Sequence, residues 1–122
     1  MSHIVEIKTE VRDATAVGNA CERLRLPKPV QGTHRLFSTE VSGLGIQFPG
    51  WRYPAVCQLD TGEIQIDIYG GRWGDPCHMD RFLQAYAIER AKMEARRKGH
   101  TVTEQSLADG SVKLTVTVGG AA

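Results

Sequence analysis

The sequence is poor in the features that would narrow its function at once. It has three cysteines, Cys21, Cys57 and Cys77, widely spaced and odd in number. That count suits reduced thiols better than a disulfide framework. It lacks charge of one sign: fifteen Lys and Arg meet fourteen Asp and Glu, a net charge of +1. The whole molecule therefore has no electrostatic pull toward nucleic acid or an anionic membrane. No apolar run reaches the roughly 20 residues that span a bilayer. The start, Met1-Ser2-His3-Ile4-Val5-Glu6, has neither the basic beginning nor the apolar stretch of a secretory leader. A cytoplasmic protein with no membrane partner is the expectation.

Ordinary globular material is present: 41% hydrophobic and 24% charged residues over 122 positions, enough for one domain spanning 1–122. Such a chain buries roughly two-thirds of its unfolded surface and needs no metal or disulfide to fold. Val5, Ile7, Thr9 and Val11 alternate with polar residues as a half-buried strand does. Asp13 offers a helix cap, and Val17, Ala20, Cys21 and Leu24 form one helical stripe that Pro27 and Pro29 end. Residues 30–41 show no clear period and read as a loop or an irregular edge strand. Leu44, Ile46 and Phe48 alternate again. Strands at 55–59 and 63–69 flank the turn Asp60-Thr61-Gly62, with Ile64, Ile66 and Ile68 on one face.

A long helix is expected over 79–98, with Leu83, Tyr86, Ala87 and Ala91 as its buried stripe and Gly99 as its stop. Strands at 101–107 and 111–118 then join across Asp109-Gly110, and a frayed tail follows. The order predicts an α+β fold: an antiparallel sheet with both helices on the face of the three isoleucines. This is a ferredoxin-like arrangement with an added strand or hairpin.

Chemistry concentrates in two segments, Trp51-Arg52-Tyr53 and Asp67 to Asp75, the latter carrying Tyr69, Arg72 and Trp73. Both tryptophans and two of the three tyrosines fall there. Aromatic and arginine-rich loops make binding surfaces, since each side chain offers area plus a polar handle. The competing reading is that Trp51 and Trp73 plug the open end of the sheet. The candidate binding residues are Trp51, Arg52, Tyr53, Asp67, Tyr69, Arg72, Trp73 and Asp75; no residue is assigned as catalytic.

Other chemistries find less support. Cys57, Cys77 and His78 lack the spacing of a zinc site, so no metal and no cofactor is expected. Cys77 stands near the start of the long helix, where a thiolate would be stabilised, but no histidine is placed beside it by sequence. Asp60 reads as turn chemistry and Asp75 as a helix cap, leaving Asp67 without a local structural reason. Gly43-x-Gly45 is followed by Phe48 where a dinucleotide loop needs glycine. An open sheet with aromatics is how RNA-recognition domains stack bases, which keeps an RNA- or DNA-binding module as the alternative function. A small enzyme using Asp67 or Cys77 is the second alternative.

The opening Met1-Ser2-His3 with Ile7-Lys8-Thr9, the central Pro49-Gly50-Trp51-Arg52-Tyr53-Pro54, the Asp67–Asp75 loop and the closing helix and hairpin resemble one uncharacterised family. It is domain of unknown function twelve-fifty-seven, the hypothetical chloroplast reading frame thirty-five group of plastids and bacteria. The likeness covers nearly the whole chain and rests on the order of these segments; residues 27–41 fit it least. The resemblance implies a small cytoplasmic protein associated with neighbouring AAA-type ATPases, and it transfers no catalytic residue. The resulting expectation is a non-enzymatic accessory or adaptor domain that binds a protein partner, with an AAA-type ATPase as one candidate and homo-oligomerisation left open.

Overall fold

The computed structural model describes residues 4–7, as backbone, and residues 10–118. Expectations that fell on Met1–His3, Lys8, Thr9, the facing of Val5 and Ile7 and the tail from Gly119 lie outside these residues. The chain forms two compact units, Met1–Tyr86 and Ala87–Ala122, where the sequence reads as one domain.

The fold is α+β. In the first unit β1 (Ile4–Ile7), β2 (Val30–Arg35), β3 (Glu40–Ile46), β4 (Ala55–Gln58) and β5 (Glu63–Asp67) form one sheet in the order β1-β5-β4-β3-β2. Every neighbouring pair is antiparallel. The segment at 30–41, where sequence shows no period, supplies the edge strand β2 and its tight turn into β3. Its burial alternates from Gln31 to Arg35, with Gly32 and His34 the half-buried positions.

Cross-strand register assigns the two faces. Leu44 stands opposite Cys57 and Cys57 opposite Ile64, so these share a face with Ile46, Ala55 and Ile66. Helix α1 (Ala14–Arg23) covers that face with Ala16, Val17, Ala20 and Cys21, all almost wholly buried. The cap is the expected one, Asp13 accepting from the Ala16 amide at 2.9 Å. The stop differs. The Leu26 amide returns to the Cys21 carbonyl at 2.8 Å with Arg25 at φ 58°, so α1 closes on its own C-terminal turn before either proline.

Helix α2 (Cys77–Arg97) begins two residues earlier than sequence suggests. Its first half buries Met79, Phe82, Ala85 and Tyr86, whereas Leu83 is half-buried and Ala87 and Ala91 are exposed. Phe82 sets this rotation, its ring meeting Phe48 at 6.2 Å and Tyr86 at 6.3 Å. A large ring outweighs two alanines in choosing the inward face. The Tyr86 hydroxyl accepts from the amides of Arg12 and Asp13, both at 3.1 Å, locking α2 to the entry of α1. Both helices thus lie on the isoleucine face.

The opposite face has a smaller apolar cluster of Leu36, Val41 and Val56, with Tyr53 packed against it. Gly45 lies under the His34 ring, which a Cβ there would approach to 2.4 Å, and His34 Nε2 sits 2.8 Å from the Val30 carbonyl.

In the second unit β6 (Thr101–Ser106) and β7 (Val112–Thr117) pair with each other as a two-stranded sheet. The Asp109-Gly110 turn forms as expected, with Gly110 at φ 88°. Lys92 Nζ on α2 bonds Glu104 Oε2 of β6 at 2.5 Å and stands 3.6 Å from Glu89. On β7, Val112 and Leu114 are half-buried and Val116 is exposed.

Candidate functional site

Three loops meet around Trp73. The first leaves β5. Tyr69, Gly70 and Gly71 occupy the left-handed region in succession, with φ of 48°, 60° and 98°. The turn closes where the amides of Gly71 and Trp73 both donate to the Ile68 carbonyl, at 3.0 and 2.9 Å. Glycine takes such angles readily. A tyrosine does so at a cost of roughly 1–2 kcal/mol, and strain of this kind collects at functional surfaces.

The second loop, between β3 and β4, is tied to the first by the Arg52 amide donating to the Trp73 carbonyl at 2.8 Å. The third is the β2–β3 turn, closed by the Leu36 amide on the Thr39 carbonyl at 2.8 Å. It is fastened to the sheet by the Phe37 amide donating to Asp67 Oδ2 at 3.1 Å. Asp67 is 1% exposed, and its Oδ1 has no hydrogen-bond partner among the described residues. Asp67, for which the sequence offers no local structural reason, is the buried anchor of this turn.

Trp73, half-buried, is the hub of what these loops assemble. Phe37 lies 5.1 Å from it between centroids, tilted by 32°. Tyr69 and Tyr53 approach edge-on at 4.8 and 5.7 Å. The Arg52 guanidinium sits over the Trp73 ring at 5.0 Å and near Tyr53 at 5.8 Å, while that of Arg72 lies over Tyr69 at 5.2 Å. Phe37 and Tyr69 remain 43% and 36% exposed, large values for aromatic rings outside a core.

Of the eight candidates, five join this cluster directly: Arg52, Tyr53, Tyr69, Arg72 and Trp73. Asp67 supports it from beneath. Trp51 and Asp75 do not belong to it. Trp51 is 5% exposed, packs on Phe48 at 4.8 Å and donates from Nε1 to the Asp75 carbonyl at 3.0 Å. Its ring lies so close to Gly74 that a Cβ there would stand 2.8 Å away. Asp75 caps α2, its Oδ1 accepting from the Cys77 amide at 2.9 Å. That bond holds its carboxyl below the ordinary carboxylate value. The two tryptophans divide the two readings between them, Trp51 the plug and Trp73 the surface.

Phe37 is the member that sequence reasoning missed. An aromatic at the tip of a short polar turn, Leu36-Phe37-Ser38-Thr39, was the available signal. Its meaning depended on recognising that turn as a hairpin.

The alternative chemistries lose ground here. A helix start would stabilise a Cys77 thiolate, but the thiol is pushed up, first by its hydrogen bond to Asp75. Burial raises Cys21 to about 11 and Cys57 to about 12. Among the described residues no three His, Cys, Asp or Glu side chains gather as metal ligands. No helix among them is long and apolar enough to cross a membrane.

No protein-family model matches the chain, and no curated protein or solved structure matches it. The resemblance drawn above rests on its own sequence segments and supplies no residue roles.

Proposed function

We propose that this protein is a non-enzymatic accessory or adaptor domain that binds a protein partner through the Trp73-centred surface. The observation that carries this reading is the convergence of Phe37, Arg52, Tyr53, Tyr69 and Arg72 on Trp73 from three separate loops, with Phe37 and Tyr69 left exposed. Aromatic and arginine side chains are those that dominate protein interfaces energetically. A left-handed tyrosine at the rim fits a surface kept for contact rather than for stability. Catalysis through Asp67 or Cys77 fits the geometry less well: one carboxylate is sealed beneath a turn, and the pKa of the one thiol is raised by its hydrogen bond to Asp75.

The test places a photo-reactive phenylalanine analogue at position 37, at 69 and, as a control, at the exposed Gln84 on α2. Irradiation in the native host should yield protein adducts at 37 and 69 and not at 84. Absence of adducts at 37 and 69 would remove the reading.

A further inference from the structure

We infer that the partner presents an acidic, apolar-flanked peptide segment, whose carboxylates are taken by Arg52 and Arg72. This rests on the reading of the Trp73 surface as protein-binding, and it adds the chemistry of what binds there. Both guanidinium groups are exposed, and each lies over aromatic rings, Arg52 over Trp73 and Tyr53, Arg72 over Tyr69. Neither has a carboxylate partner among the described residues. The ion pairs found there engage other cations, and the carboxylate built into the cluster, Asp67, is buried and accepts from a backbone amide. Arg35, on the neighbouring strand, differs in having Glu40 opposite it in register.

Ring contact restrains an arginine side chain in advance, so less freedom is lost when its planar fork of donors meets a carboxylate. Two such forks joined through Trp73 and Tyr69 make a surface whose charge is complementary to spaced acidic side chains. The exposed rings of Phe37 and Tyr69 beside them suit apolar residues between or next to those acids.

A peptide fits this surface better than RNA or DNA. Sequence-tolerant nucleic-acid binding needs open ring faces on which bases stack, together with a tract of cations along the backbone. Here the Trp73 ring is already covered by Arg52 and flanked edge-on by Tyr53 and Tyr69. The net charge of the chain is only +1.

The test is selection of binders from a random decapeptide display library on the full chain, with a decamer of uridylate measured in parallel by anisotropy. Selected peptides should share at least two acidic residues next to an apolar one. Their binding should weaken about tenfold or more with Arg52→Gln and Arg72→Gln combined, since each removed charge-assisted contact is worth about that factor. The thermal midpoint of this variant should stay at the parent value, because both side chains are exposed. Affinity should also fall as salt is raised. Selected peptides without acidic residues, or binding indifferent to the arginine changes, would overturn the inference while leaving the photo-crosslinking result to judge the protein-binding reading. A library that yields no binders would overturn it in the same way. Tighter binding of the uridylate decamer than of any peptide would overturn both.

Discussion

The close approach of Trp51 to Gly74 lends itself to a double-mutant cycle. Trp51→Ala removes a 5%-exposed indole, its contact with Phe48 and its hydrogen bond to the Asp75 carbonyl. Large aromatic truncations in cores cost about 3–5 kcal/mol. Gly74→Ala places a Cβ 2.8 Å from three-way-packed indole carbons and must displace the ring, an overpacking worth about 1–3 kcal/mol. With the indole already gone, the added methyl enters the space it left. The cost of Gly74→Ala should then fall to within about 0.5 kcal/mol of zero, a coupling of about 1–3 kcal/mol between the two sites. Urea unfolding of the four proteins measures this. A Trp73→Phe background leaves Trp51 as the sole tryptophan, so its emission reports the displaced ring directly. The reasoning is refuted if Gly74→Ala costs the same with and without the indole, since the penalty would then lie in the backbone. It is equally refuted if Gly74→Ala is neutral in the parent.

Asp67→Ala should cost about 1–3 kcal/mol and speed hydrogen exchange at the Phe37 amide, because the anchor of the β2–β3 turn is lost; Asp67→Asn, which retains an acceptor, should lie nearer the parent in both measurements. In the native protein at pH 8, a thiol reagent followed by mass mapping should modify half-buried Cys77 well before Cys21 and Cys57, whose burial and raised pKa values of about 11 and 12 delay reaction until urea is added. The Asp75 carboxyl is held below its ordinary value by the Cys77 amide, so its folded pKa is depressed relative to the unfolded chain. Its contribution is present above the ordinary carboxylate range and is lost as pH falls through the folded value. Stability measured against pH should therefore show a shallower acid limb in Asp75→Asn than in the parent.

The local signals were legible in sequence wherever the chain itself satisfies its backbone. Asp13 caps α1, Asp75 caps α2, Gly99 takes φ 80° after α2, and Gly62 and Gly110 turn their hairpins, all as the residue types require. The strands expected at 55–59 and 63–69 form over Ala55–Gln58 and Glu63–Asp67, and the inward face of Ile64 and Ile66 followed from alternation. These are short-range effects, decided within a few residues by sterics, hydrogen bonding and period.

What the sequence could not decide was the outcome of competition between distant groups. Nothing local distinguishes Trp51 from Trp73. One became a buried plug because Gly74 and Phe48 arrive beside it, the other a half-buried hub because Phe37 and Tyr69 do. The inward face of α2 turned on Phe82 meeting Phe48, thirty-four positions away, and not on the alanine spacing of the helix itself. Asp67 faces away from its isoleucine neighbours as alternation requires, yet whether that side is solvent or interior depends on a turn thirty residues earlier folding over it. Composition, caps, turns and strand periods belong to the sequence alone. The candidate surface belongs to tertiary structure, because its members are brought together from three loops by the Arg52–Trp73 backbone hydrogen bond and the Phe37 amide's bond to Asp67, between segments that share no local pattern.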